Sequence, residues 1–174
     1  GGFNANNAEA HNCRVYTYDG QIYEGTIQLA DASLHVNKEY STTQRTFQSV
    51  EVVLDEPVTS KDDVKALGIT NGCFVCADPN LVVTNSGYIK SRFLDDKLSA
   101  AILLGYAKYI RENNITPLRK VYQHMTVFEE VGHGACASIP EDVTELLSVD
   151  MGCVGDGLEC TERQVSICAK DGHG

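Results

Sequence analysis

The chain has 174 residues, 43% of them hydrophobic, and a formal net charge of −10, which indicates one ordinary domain or two small ones with a buried core. The negative charge argues against nucleic acid as a partner, because its phosphates would be repelled. No apolar run approaches the roughly 20 residues that span a membrane, so no membrane association is expected.

Seven cysteines, an odd number, are scattered along the chain, and no signal peptide opens it. We interpret them as free thiols of a protein in the reducing cytoplasm. Cys73 and Cys76 form a CxxC, a spacing typical of zinc or redox sites, but "GCFVCAD" has the composition of a strand. Residues three apart on a strand point to opposite faces, so a shared metal ion is not expected there.

Residues 1–84 are rich in Val, Tyr, Thr and Ile and predict a small, mainly antiparallel β-rich domain. Asp19 and Gly20 lie between alternating runs, which is a strong signal for a hairpin. "SVEVVLD" (49–55) predicts a further strand, and "NLVVTNSGYIKS" predicts a second hairpin turning at its "NSG".

One short helix is predicted within this β-rich part, at "SKDDVKALG" (60–68). Ser60 is a favourable N-cap, and Asp63 occupies the capping-box position three residues later. Gly68 is a typical residue to end the helix.

Residues 85–174 have a different pattern. "DDKLSAAILLGYAKYIREN" (95–113) predicts a helix that is apolar nearly all round and therefore buried against a sheet. A strand is predicted at 119–128, a short helix at 140–147 and a strand at 146–151. This order predicts an α/β part with a mostly parallel sheet and flanking helices.

Acidic residues stand at the ends of these predicted elements. Asp95 begins the long helix, Glu129 and Glu130 end one strand, and Asp150 ends the next. Ligands of such sheets gather beyond the carboxyl ends of the strands, so the four side chains could converge. Crowded carboxylates need cations, and hard oxygen ligands suit divalent metals. The alternative is that Asp95 only caps the helix and Asp150 is only a loop residue.

Two-metal hydrolases need a bridging carboxylate, further ligands on each ion and a separate base for the attacking water. Asp95 could bridge two ions, while Glu130 and Asp150 each bind one. Glu129 could stay off the metals and accept the proton of the water. The glycines of the following "GHG" would allow a tight turn beside the substrate.

Three motifs make the chain recognisable: "FLDDK" before the apolar helix, "VFEEVGHGA" and "SVDMG". In this order they closely resemble the tetrahedral aminopeptidase family, dinuclear metallopeptidases that remove N-terminal residues from peptides. The initial "GG", "RVYTYDGQIYEGTI" and "DDVKALGITNGCFV" are similar to the β-rich, PDZ-like domain inserted in that family. The resemblance therefore covers nearly the whole chain.

The resemblance implies a role for each acidic residue. Asp95 matches the bridging ligand, Glu129 the general base, and Glu130 and Asp150 the terminal ligands, while Asp96 would tighten the turn or support a ligand. It also implies two divalent metal ions, zinc first and cobalt or manganese as alternatives. Peptide substrates and a dodecameric homo-oligomer, assembled through the inserted domain, follow from the same resemblance.

The histidines depart from the family pattern, which has one histidine ligand upstream of the inserted domain and one near the C-terminus. Neither is matched here, and we expect the chain to be an internal piece of a longer enzyme. His133 could touch substrate, while the others are assigned to the inserted domain, to surface or packed positions, or to a place too early for the distal ligand: His11, His35, His124 and His173.

Two other functions remain open at this point. A glycoside hydrolase also uses two carboxylates, but it would leave Asp95 and Asp150 without a role, and the chain has no tryptophan to stack on a sugar. The chain could also be a β-rich assembly module attached to an inactive remnant.

Overall fold

The computed structural model of the chain describes residues 3–134 and 138–168. It contains two compact units, Gly1–Arg92 and Phe93–Gly174, and we describe each by itself. The initial "GG" and His173 lie outside the described residues. No described helix is long and apolar enough to cross a membrane.

The first unit is built on a four-stranded sheet in the order β3-β2-β1-β4, and every neighbouring pair is antiparallel. A separate two-stranded sheet pairs β5 with β6, also antiparallel. The strands are β1 (His11–Tyr16), β2 (Ile22–Leu29), β3 (Val50–Leu54), β4 (Phe74–Ala77), β5 (Val82–Val83) and β6 (Ile89–Lys90). The prediction of a mainly antiparallel β part is confirmed, as is the strand within 49–55.

Both predicted hairpins are present. Between β1 and β2, the Gln21 amide donates to the Thr17 hydroxyl over 3.0 Å, and Gly20 takes a φ of +85°. Between β5 and β6, the Thr84 amide donates to the Tyr88 carbonyl over 2.8 Å, and Gly87 takes a φ of +86°. The glycines occupy the left-handed positions that these turns require.

The predicted short helix is also present, as α1 (Lys61–Ala66). The Asp63 amide donates to the Ser60 hydroxyl over 3.2 Å, and the Ser60 amide donates to the Asp63 carboxylate over 2.9 Å. This reciprocal pair satisfies two amides that the helix itself leaves unbonded. Gly68 follows the helix in the left-handed conformation, with a φ of +79°.

The core of the first unit lies on one face of its sheet. Ala8, Cys13 and Ile27 form a buried cluster, with partly buried hydrophobic side chains packed against it: Phe3, Val50, Val52 and Ala77. Burial raises the pKa of the Cys13 thiol, so it stays protonated and acts as a small apolar side chain.

The second unit contains α2 (Leu94–Glu112) and a single 3-10 turn, Glu129–Val131, among its described residues. The predicted strands at 119–128 and 146–151 are wrong, and the predicted helix at 140–147 amounts to a turn at 141–142. The mostly parallel sheet is likewise wrong, since all described strands are antiparallel and lie in the first unit.

The missing strands have a physical reason. A strand exists through hydrogen bonds to its neighbours, and a parallel strand in particular needs partners on a shared sheet. Among the described residues of the second unit, no segment forms such a partner strand. Side-chain contacts connect its segments instead. The Lys120 ammonium lies 3.1 Å from the Asp142 carboxylate, and the Gln123 amide donates to the Leu103 carbonyl over 2.6 Å.

Helix α2 has the predicted position, but the predicted burial of its apolar surface is wrong. Ser99 is its buried residue. Leu98, Ile102 and Leu104 are 43%, 55% and 59% exposed, so apolar surface faces outward on more than one side. An apolar surface of this kind normally requires a covering layer.

Candidate functional site

The first acidic pair lies where α2 begins. Asp95 and Asp96 have non-helical backbone angles, with ψ of +107° and +34°, and the peptide bond between them is cis. Phe93 precedes them in the left-handed conformation, with φ of +60°, and Lys97 holds its ring through a cation–π contact at 5.3 Å. Regular helix therefore begins only after the two aspartates.

The second acidic pair, Glu129 and Glu130, lies in the 3-10 turn rather than at a strand end. Phe128 before it and Gly132 after it both have left-handed backbones, with φ of +69° and +78°. The Gly132 amide closes the turn on the Glu129 carbonyl over 2.8 Å. A β-carbon at Gly134 would collide with the Val127 carbonyl, so the predicted tight turn after the glutamates requires that glycine.

Asp150 lies in an irregular part of the second unit. Its carboxylate accepts a hydrogen bond of 2.6 Å from the amide of Met151. This local bond fixes one oxygen and leaves the other for a different partner.

The acidic side chains of these segments act together on the pKa of Glu129. The pKa of Glu129 is raised, first because loss of hydration disfavours its charged form and then because negative charges surround it. Those charges belong to Asp150, Glu130, Asp95 and Asp96, in order of decreasing effect. The structure therefore brings the predicted acidic residues into one electrostatic neighbourhood, and Asp96 belongs to it as well.

Electrostatic interaction among these carboxylates does not by itself make a metal-binding site. Among the residues that the structure describes, no three His, Cys, Asp or Glu side chains are arranged to hold a metal ion. The CxxC and the described histidines are included in that finding. His11 contacts the Arg92 guanidinium in the first unit, and burial together with that positive charge lowers its pKa.

Sequence reasoning missed two features of the site, the left-handed Phe93 and Phe128. Bulky residues rarely take this conformation, and no composition or spacing signal announces it. Phe128 directly precedes the pair of glutamates, and Phe93 lies two residues before the first aspartate. Strained backbone of this kind clusters at functional sites, so its observation in a structure is a general indication of such a site.

Each of three comparisons with known proteins finds a match. The sequence pattern of the M42 glutamyl aminopeptidase family matches residues 1–174. The Bacillus subtilis (strain 168) protein named "Putative aminopeptidase YhfE" is 41% identical over 174 residues, which are 100% of this chain and 50% of that protein. The chain thus spans about half the length of this relative.

Among solved structures, "Aminopeptidase APDkam598 from the archaeon Desulfurococcus kamchatkensis" is 24% identical, with a TM-score of 0.48. The similarity covers 63% of this chain and 28% of the archaeal chain.

Proposed function

The chain belongs to the M42 glutamyl aminopeptidase family, and from that membership we propose that the protein containing it removes N-terminal residues from peptides. The observation that assigns the proposed activity to particular residues is the group of acidic side chains around Glu129. Its raised pKa arises beside the same acidic residues that the family motifs select. A glutamate whose pKa is raised is a stronger base than an ordinary one, which suits the role of proton acceptor.

We propose two divalent metal ions for this site, zinc first and cobalt or manganese as alternatives. The donor chemistry fits, because clustered carboxylates are hard oxygen ligands whose mutual repulsion a cation relieves. Asp95 would contact both ions, and Glu130 and Asp150 one each. The described residues do not complete a ligand set, so imidazole ligands from other segments of the longer protein are part of the proposal.

A divalent ion, when bound there, lowers the pKa of water and polarises the peptide carbonyl. The residues of this chain do the remaining work. Glu129 accepts the proton of the attacking water and returns it to the leaving amine. Glu129 and Glu130 are neighbours in the 3-10 turn, so the proposed base lies next to a proposed ligand.

The test is metal removal from the full-length protein. Exhaustive chelation should abolish release of N-terminal residues from peptides, and zinc, cobalt or manganese should restore it. Peptide hydrolysis that survives chelation would contradict the proposal. A parallel assay on oligosaccharides addresses the glycoside hydrolase alternative, which needs carboxylates but no metal.

We further propose that residues 1–84 are a PDZ-like inserted domain and 85–174 part of the α/β catalytic domain of a cytoplasmic enzyme. The inserted domain would build a dodecameric homo-oligomer. Its sheet leaves β3 and β4 as edge strands, which are ready templates for pairing between chains. Light scattering on the full-length protein tests the assembly, and a monomer would contradict it.

A further inference from the structure

Two cysteines of the second unit share one hydroxyl group. Ser166 Oγ lies 3.6 Å from Cys160 Sγ and 3.4 Å from Cys168 Sγ. Because both distances end on the same oxygen, the two sulfur atoms are no more than about 7.0 Å apart. Neither cysteine belongs to the acidic site, and both are free thiols.

We propose that Cys160 and Cys168 form a dithiol pair that a low-molecular-weight disulfide oxidises reversibly to an intramolecular disulfide. Cys168 is exposed and Cys160 is half-buried, which sets the order of the two steps. The Cys168 thiolate attacks the small disulfide, forms a mixed disulfide and releases one small thiol. The Cys160 thiolate then attacks the Cys168 sulfur and releases the second, so two protein thiols are oxidised and one small disulfide is reduced.

The chain between the two cysteines is already folded back on itself. The Gln164 amide donates to the Thr161 carbonyl over 3.1 Å, and the Thr161 amide donates to the Gln164 side chain over 2.9 Å. This turn brings its two ends together, so little further ordering is needed to close the ring.

Bond formation requires only a local adjustment. The sulfurs must approach from their present separation to about 2.05 Å, with α-carbons within about 4.4–6.8 Å. No helix or strand covers residues 160–168, so the movement breaks no ladder of backbone hydrogen bonds.

The position of the pair gives the modification a structural consequence. Gly152 packs so closely on Ser166 that a β-carbon added to the glycine would lie 2.9 Å from the serine β-carbon. A disulfide between Cys160 and Cys168 would restrict the segment that contains Ser166. Through the close contact with Gly152 it would also restrict the segment that begins at Asp150.

The experiment uses the full-length protein in buffers of defined ratio of oxidised to reduced glutathione. After alkylation of free thiols, digestion with trypsin and a glutamate-specific protease isolates Cys160 in residues 160–162 and Cys168 in 164–170. Cys153 falls in a different fragment, 146–159. We expect the 160–162 and 164–170 fragments to be linked under oxidising conditions and separated again by dithiothreitol.

Cys160→Ser and Cys168→Ser should each reduce the linked product to background, and Cys160→Ser should accumulate a glutathione adduct on Cys168. Cys153→Ser is the matched control and should leave the link unchanged, because the Cys153 sulfur contacts Met151 at 3.9 Å instead. Glutathione adducts on both cysteines of the unsubstituted protein, or a link from Cys153 to Cys168, would overturn the proposal.

Discussion

Arg45 and Glu9 form a two-point ion pair across 36 positions of the chain. Arg45 Nε lies 2.7 Å from one Glu9 oxygen, and a second guanidinium nitrogen lies 3.2 Å from the other. The Arg45 and Glu9 side chains are only 15% and 19% exposed. The pair thus joins the long loop after β2 to the segment that leads into β1.

Glu9→Gln should destabilise the first unit by about 1–3 kcal/mol, because it keeps the shape but leaves the guanidinium without its counter-charge. Urea unfolding followed by circular dichroism measures the change. The matched control is Asp62→Asn, which removes the pair with Lys65, whose two partners are 56% (Lys65) and 90% (Asp62) exposed. That change should stay within about 0.5 kcal/mol. Equal effects of the two substitutions would contradict the assigned importance of the Glu9 pair.

Lowering the pH should remove the contribution of Glu9 to the free energy of unfolding. The hydrogen bond from Arg45 is the main cause that lowers the pKa of Glu9, and the hydroxyl of Tyr40 adds to it against the opposing effect of burial. A lowered pKa in the folded state stabilises the protein above the ordinary value of 4.5, and this stability is lost as the pH falls through the lower folded value. The stability difference between the unsubstituted protein and Glu9→Gln should shrink below about pH 4.5. A difference that stays constant down to pH 2 would show that Glu9 is not responsible.

Two glycine substitutions should have opposite signs. A β-carbon on Gly25 in β2 would lie 2.6 Å from the Val53 carbonyl oxygen, so Gly25→Ala should cost about 1–3 kcal/mol of unfolding free energy. Gly105 lies in α2 with nothing within 4 Å of the added carbon, so Gly105→Ala should stabilise by about 0.5–1 kcal/mol. Thermal unfolding of both variants gives the comparison, and a stabilising Gly25→Ala would refute the close approach of β2 and β3.

Glu129→Gln in the full-length protein should lower turnover by about 10²–10⁴ while the metal content is kept, since the amide cannot accept a proton. Steady-state kinetics and elemental analysis of the same preparation check both halves. Glu141→Gln, an exposed glutamate of the same unit, is the control and should behave like the unsubstituted protein. Loss of metal in Glu129→Gln would make this residue a ligand instead of the base.

The 174-residue chain by itself should be inactive, bind zinc weakly and self-associate. Its described residues offer no complete ligand set, and the apolar surface of α2 is exposed. Calorimetric zinc titration, a peptidase assay and light scattering on the same sample test this. Tight binding of two zinc ions together with turnover would show that one or more of the five histidines completes the site.

The features that sequence predicted correctly are local ones. The hairpin at Asp19 and Gly20 depends on a turn whose conformation glycine favours, and α1 depends on the Ser60–Asp63 capping box. Each is specified within a few residues, so the chain needs no distant partner to form it.

The features that failed depend on partners. The strands predicted at 119–128 and 146–151 have suitable composition, but strand formation requires a neighbour to hydrogen-bond with, and composition does not supply one. The site shows the same division. The acidic residues could be selected by type and order, whereas the left-handed backbone at Phe128 depends on the surrounding chain and leaves no trace in the sequence.

Phe93 and Phe128 also have a consequence for protein engineering. A left-handed backbone disfavours a bulky side chain by about 1–3 kcal/mol, so glycine at either position would relieve that cost. A screen for heat tolerance alone would therefore favour the replacement of Phe128, which is 69% exposed, whereas at Phe93 the loss of the cation–π contact with Lys97 opposes the gain. The same changes would give the backbone beside each acidic pair more freedom, so variants selected for thermal resistance at these two positions should be counter-screened for turnover.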